Sequence, residues 1–156
     1  MATHTFALPQ NLIALLRPHW EGLRDHHAER TNSFHQYYES ALFDKRVASL
    51  LKRDQLGLFI CTDSEVKSKD INELSSEQIT AFVICSINGK AGEVDSLYVS
   101  PERRGLDLGS KLLTKARQWF DEHEAKSIIL YVGDGNEDVI AFYAKNGFKV
   151  RATQMQ

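Results

Sequence analysis

Two glycines and two arginines separate an apolar run from a helical pattern in Leu97-Tyr98-Val99-Ser100-Pro101-Glu102-Arg103-Arg104-Gly105-Leu106-Asp107-Leu108-Gly109-Ser110. A strand that turns on glycines directly into a helix aims successive backbone N–H groups, and the positive end of the helix dipole, at one point. A diphosphate is held in this way. The plainer reading is a tight strand-to-helix turn in which the glycines serve geometry alone, and the loop by itself leaves both open. Just upstream, Glu93 and Asp95 lie two residues apart on the same run. By the period-two rule they share a face with Leu97 and Val99, as two carboxylates able to accept a proton or as a solvated strand end. Downstream, Asn136 precedes Ala141-Phe142-Tyr143-Ala144-Lys145-Asn146-Gly147-Phe148. There Tyr143 is either a packing residue beside Phe142 or a proton donor.

Loop and tail together resemble the GCN5-related N-acetyltransferase (GNAT) superfamily. Its V-x-P-x-x-R-G-x-G-x-G-type segment binds the diphosphate of acetyl-CoA, and a later A-x-F-Y-x-x-x-G-F segment sits beside the sulfur. The resemblance runs from about Ile79 to Val150 and is specific because both motifs occur in order, with a helix and a strand between them. It implies that the backbone of Arg104, Gly105, Leu106, Asp107, Leu108, Gly109 and Ser110 binds the diphosphate. The main chain of Leu97, Tyr98 and Val99 would pair with the pantetheine arm like an added strand, with Asn136 meeting it from the other side. Tyr143 takes the place of the family's general acid, able to protonate the thiolate or to hold it by a hydrogen bond, and the implied acyl donor is acetyl-CoA, with no metal. One position departs from the pattern, because Asp107 stands where the loop usually has its first glycine. A carboxylate aimed at a diphosphate repels it, whereas one turned away caps the helix through the N–H of Gly109 or Ser110, the arrangement expected here. A bulky residue at Gly109 is expected to abolish cofactor binding with the fold largely intact.

Acetyl transfer from a thioester to an amine needs neither metal nor covalent intermediate if the two are held in line. What it needs is removal of the proton from an amine whose pKa lies near 10, and support for the departing thiolate. Asp95, nearer the expected thioester, is preferred to Glu93 as the base. The acceptor side that the resemblance implies includes Trp20, His26, His27, Glu29, Phe34, Tyr37 and Tyr38. Aromatic and acidic groups suit a cationic amine, yet the helical spacing of Trp20, Phe34 and Tyr38 favours core packing, and His26-His27 reads as a solvated helix end. The expected function is acetyl-CoA-dependent N-acetylation of a primary amine, on a small molecule or on a protein or peptide. The alternative is a non-catalytic acyl-CoA-binding or sensing module on the same fold. A P-loop is disfavoured because the Gly-Lys-Ser/Thr ending is missing.

The elements that must position these groups follow from periodicity. Leu12, Leu16, Trp20, Leu23 and His27, and then Phe34, Tyr38, Ala41 and Leu42, predict two amphipathic helices, with Pro18 either kinking the first or opening a shorter piece. Thr5–Leu8 is a candidate opening strand. Strands are expected over Leu56–Thr62, Ile79–Ile87 and Gly92–Val99, the last two joined by an Asn88-Gly89-Lys90 hairpin turn. Asp63–Glu77 reads as a solvated loop. A helix Leu108–Glu124, a strand Ser127–Val132, a helix Glu137–Lys145 between Asn136 and Gly147, and a strand from Phe148 complete the order. The expected fold class is α/β (α+β): one GNAT-like mixed sheet over residues 1–156, antiparallel in its N-terminal strands and of βαβαβ type in its C-terminal half. Only eight residues follow Phe148, so the last edge is short or is completed by a second subunit, as in a homodimer.

The chain has 156 residues, 42% hydrophobic and 26% charged, enough for one sizeable core. A net charge of −2 gives no general case for nucleic acid or an anionic membrane as partner. No apolar run approaches the roughly 20 residues of a membrane span, and no secretory pattern opens the chain. A cytoplasmic location is therefore expected. Cys61 and Cys85 stand in strand-like runs without metal-ligand spacing, as reduced, buried thiols.

Overall fold

The strand Ile79–Asn88 is apolar at almost every position, and nine of its ten residues are buried, so it must have packed layers on both of its faces. The computed structural model, which describes residues 2–156, builds a five-stranded mixed sheet around it. In chain order the elements are β1 (His4–Ala7), α1 (Arg17–Arg30), α2 (His35–Glu39), α3 (Phe43–Leu50), β2 (Gln55–Thr62), β3 (Ile79–Asn88), β4 (Ala91–Val99), α4 (Leu108–Glu122), β5 (Ser127–Ile129) and α5 (Ile140–Lys145). The strands lie in sequence order. β1 to β4 are antiparallel, and β5 runs parallel to β4.

Alternation along the strands makes two cores. Phe82 and Ile84 face Leu16, Trp20, Phe43 and Leu50 of the α1–α3 layer, while Ala81, Val83 and Cys85 face Leu112, Leu113, Ala116 and Phe120 of α4. The expected hairpin is present, with Gly89 at φ 66° between β3 and β4. The two cysteines are buried and free.

Several expectations need correction. The first long helix begins instead as a 3-10 turn, Gln10–Leu16; α1 starts at Arg17, with Pro18 in its first turn, where a missing N–H costs nothing. The second is shortened to α2, with Ala41 and Leu42 beyond its end, and α3 follows as a helix that was not expected. Asp63–Glu77 is not wholly solvated, because Leu74 is buried and Val66 and Ile71 pack on the α1–α3 core. β5 pairs over only three residues. Among the described residues no strand follows Phe148, and positions 149–156 are exposed and irregular. The reason lies at Phe148 itself. Its N–H closes the end of α5 on Tyr143 O at 3.0 Å, and the Arg117 guanidinium lies 4.6 Å from its ring centre, so the residue is spent on α4 and α5 and not on the sheet. No helix among the described residues is long and apolar enough to cross a membrane.

Candidate active site

The site begins where two strands part. β4 pairs with β5 only at Ala91, Gly92 and Glu93, so beyond Glu93 one edge of β4 has no strand beside it. The orientation of its amides follows from the other edge. Ser100 N donates to Thr80 O at 2.8 Å, and because hydrogen-bonded pairs alternate along an antiparallel ladder, Leu97 and Val99 turn their N–H and C=O groups away from β3. They point into the gap. An extended arm with its own amides can add there as a strand does.

The turn after β4 supplies a second row of donors. Pro101–Arg103 forms a 3-10 turn, and Arg104 N closes it on Pro101 O at 3.5 Å, so the Arg104 amide is not free as expected. From Gly105 to Ser110 the amides have no acceptor among the described residues, and the first helical bond runs from Lys111 N to Asp107 O at 3.0 Å. Gly105 and Asp107 both take left-handed conformations, at φ 82° and 60°. Asp107 does not cap the helix with its side chain, contrary to expectation. It stands in for glycine because Asp is one of the few residues that tolerates this backbone region. The loop thus keeps the course that presents consecutive amides and the start of a 15-residue helix to an anion, so the residues present fit a diphosphate. Arg104 Nε reaches Val99 O at 3.4 Å, and Arg103 turns away to pair with Asp63, which holds that carboxyl below its usual range. A Cβ on Gly109 would lie 2.9 Å from Phe142 Cζ. Substitution there therefore disturbs the seat of α5 as well as the loop, and the fold would not be left intact.

Tyr143 and the loop share a face. Leu97, Val99, Phe142 and Tyr143 all pack on the α4 core, and Tyr143 meets Phe142 and Phe148 edge-on at 5.2 and 6.0 Å. Burial pushes the Tyr143 hydroxyl up to about 12. Asn136 opens the 3-10 turn before α5, without a side-chain capping bond. Tyr98 points to the opposite face, stacked between His19 and Phe82.

The carboxylates are not where period two puts them. Ser96 pairs with Ile84 and Val94 with Cys85, which leaves Asp95 as the extra residue of a β-bulge. The alternation slips at that point, so Asp95 and Glu93 both look toward α3, whereas Leu97 and Val99 look toward α4. Arg46 of α3 brings Nη2 to 2.9 Å from Asp95 Oδ1, and Arg53 Nη2 lies 3.5 Å from Glu93 Oε2. The Asp95 side chain is 0% exposed, and neither of its oxygens has a hydrogen bond of acceptable geometry. Burial, with the Glu93 carboxyl adding, pushes Asp95 up to about 7 against the pull of Arg46 and Arg53. Neither arginine nor the bulge was visible in the sequence pattern.

Of the acceptor-side residues, Trp20 is buried against Phe43 and belongs to the core. His27 is not a solvated end. It is half-buried, its ring centre lies 5.7 Å from that of Tyr38, its Nδ1 has no partner, and burial together with His26 and Arg30 lowers its pKa. Tyr37 is exposed and packs edge-on against Tyr38.

Residues 20–148 match the Acetyltransferase (GNAT) family. The chain belongs to this family and carries an N-acetyltransferase domain. It is 30% identical over 107 residues to an uncharacterized N-acetyltransferase of Methanocaldococcus jannaschii, a match covering 64% of this chain and 42% of that protein, so the chain spans less than half of that relative's length. It is 26% identical over 118 residues to a spermidine N(1)-acetyltransferase of Thermoplasma acidophilum, covering 76% and 71% of the two chains. The crystal structure of the PaiA N-acetyltransferase of the same organism, in complex with coenzyme A, has the same fold: TM-score 0.70 at 20% identity, over 99% of this chain and 94% of that one.

Proposed function

We propose that residues 1–156 act as one domain that transfers an acetyl group from acetyl-CoA to a primary amine by direct attack, with Asp95 as base and Tyr143 at the leaving group. The observation that carries this reading is the placement of the two on opposite faces of the sheet at the gap between β4 and β5. The amine forms its bond to the carbonyl carbon and gives up a proton while the C–S bond breaks and the thiolate leaves, and a gap with a proton acceptor on one side and a donor on the other serves both groups.

Acetyl-CoA supplies an activated thioester when bound; Gly105 to Ser110 hold its diphosphate and the β4 edge its arm. The outward amides of Leu97 and Val99 are donors for the developing oxyanion. Asp95, with an acid range near 7, is half-ionised at neutral pH and so matched to general-base work, while Glu93 shares its charge and leads toward solvent. Of the two roles expected of Tyr143, the second is the one proposed here. Burial keeps its hydroxyl protonated throughout the working pH range, so it is available as a hydrogen-bond donor. It therefore holds the thiolate by a hydrogen bond and keeps its proton.

The amine is carried by a small molecule in this reading, and spermidine is the first acceptor to try, because the Thermoplasma relative is named for it. Asp107 keeps the loop's backbone course, which favours a working cofactor site over a non-catalytic binding module. Two free, buried cysteines fit a reducing cytoplasm.

Calorimetric titration with acetyl-CoA, with ATP as control, followed by thiol-release assays on spermidine and a panel of primary amines, tests the proposal. Selective acetyl-CoA binding and amine-dependent release are expected. Binding without release from any amine would favour the binding module, and absence of binding would reject the loop assignment.

A further inference from the structure

Beyond Ile129 the chain leaves β4 and crosses to the connection between α1 and α2, where it is fastened. Asp134 Oδ2 accepts from Thr31 Oγ1 at 2.7 Å and from Asn32 N at 3.1 Å. Thr31 Oγ1 in turn accepts from Phe34 N at 3.1 Å, and Thr31 is buried. Alongside, Arg30 Nε donates to Gly135 O at 2.8 Å and Arg30 Nη2 lies 3.2 Å from Asp138 Oδ1. The two surfaces also fit without spare room: a Cβ at Gly133 would run into the Tyr38 hydroxyl and one at Gly135 into the Arg30 carbonyl. Thr31 and the Asn32 and Ser33 amides hold the Asp134 carboxyl below its usual range.

We infer that Asp134 is a positioning residue for the acceptor: it clasps the α1–α2 connection to the segment leaving β5 and fixes the rim of the gap on the side that Asp95 faces. This rests on the proposal above that the amine enters on the α1–α3 face. The connection spans only four residues between α1 and α2, with no strand or long helix to hold it, and its Asn32 amide finds its acceptor 102 residues away. Released from Asp134 it samples many conformations, and a substrate binding there must first reorder it. Tyr38 and His27, which line this rim, are set in place by the same contacts.

The test compares Asp134→Ala with Asp134→Asn. Asparagine keeps a carbonyl oxygen for the Thr31 and Asn32 donors; alanine keeps none. With spermidine, or the best amine of the panel, Asp134→Ala should raise the amine KM about tenfold with kcat changed less, and acetyl-CoA affinity by calorimetry should stay within about twofold of the parent. Asp134→Asn should recover most of the loss, and hydrogen exchange at Asn32 and Phe34 should quicken only in the alanine variant. If Asp134→Ala does not fold, Thr31→Val removes one donor and should raise KM about threefold. Faster exchange with an unchanged amine KM, or an equal loss of acetyl-CoA affinity, would overturn the positioning role. A parent that binds acetyl-CoA but acetylates no amine rejects the catalytic reading and this role with it; a parent that turns over beside an unaltered alanine variant rejects this role alone.

Discussion

The two faces of the sheet are built by different rules. On the α4 face the packing is apolar throughout: an amphipathic helix, a glycine-bearing turn, and α5 seated by Phe142 and Phe148 on an apolar cluster. On the α1–α3 face a buried carboxylate with no good hydrogen bond sits among two arginines and a second carboxylate, and the helix connection is held by a residue more than a hundred positions away. The first arrangement suits, in the reading proposed above, a ligand held by backbone amides. The second carries unsatisfied charge, which a fold retains at a cost of several kcal/mol per ion unless chemistry makes use of it.

Gly109→Val breaks the orderly face outright. Its side chain meets the Phe142 ring, so it should lower stability by about 1–3 kcal/mol as an overpacked site and reduce acetyl-CoA affinity about a hundredfold or more. Thermal melting and calorimetry should move together. Lost binding at an unchanged melting temperature would mean that Phe142 does not rest on Gly109.

Asp95→Asn tests the charged face next. Turnover at neutral pH should fall about a hundredfold or more, and the acid limb of kcat/KM near pH 7 should vanish. Stability should respond the other way. The folded pKa lies above the unfolded one, so the stability tied to Asp95 is fully present below about 3.8 and is lost as pH rises through about 7. Against the parent, the asparagine variant should gain on the order of a few kcal/mol between pH 5 and pH 8 in urea unfolding. A variant as active as the parent, or a pH-independent difference in stability, would move the base elsewhere.

The same contrast explains what the sequence disclosed. Strand limits near β2, β3 and β4, the hairpin at Gly89 and the buried face of α4 rest on short-range periodicity and turn chemistry, and these were legible. So was the course of the turn after β4, because a left-handed residue leaves its mark as glycine or, at position 107, aspartate. The bulge at Asp95 left none: one inserted residue reverses every later side chain, and no residue type announces it. Arg46 lies on α3 and Arg53 in the turn after it, and only their packing against β4 brings them to the two carboxylates. Thr31 and Asp134 read as unrelated loop residues until the gap brings them together. The last strand failed for a third reason, since the ring of Phe148 served α4 and α5 better than a sheet edge.

Tyr143→Phe sharpens the boundary between the faces with a smaller effect. If the hydroxyl only holds the thiolate, kcat should fall about tenfold and acetyl-CoA affinity by less than about twofold, the scale of one hydrogen bond formed in the transition state. The basic limb of the pH profile should not shift, because a phenol near 12 does not titrate in the working range. A limb that disappears with the hydroxyl would restore Tyr143 as a true acid.

The smallest change should come from Asp107→Gly, and its sign is the informative part. The exposed carboxylate makes no helix-capping bond, so glycine removes a negative charge beside a diphosphate site and keeps the left-handed backbone the turn requires. Acetyl-CoA affinity should rise about two- to fivefold at low salt, and the gain should shrink toward nothing near 1 M salt, where charges a few ångströms apart in water are screened. Asp107→Asn should gain as much, since asparagine also tolerates the left-handed region and carries no charge. A loss of affinity in both variants would show the carboxylate to be part of the binding surface, through a bridging cation or a water, and the loop would then read its ligand by more than its backbone amides.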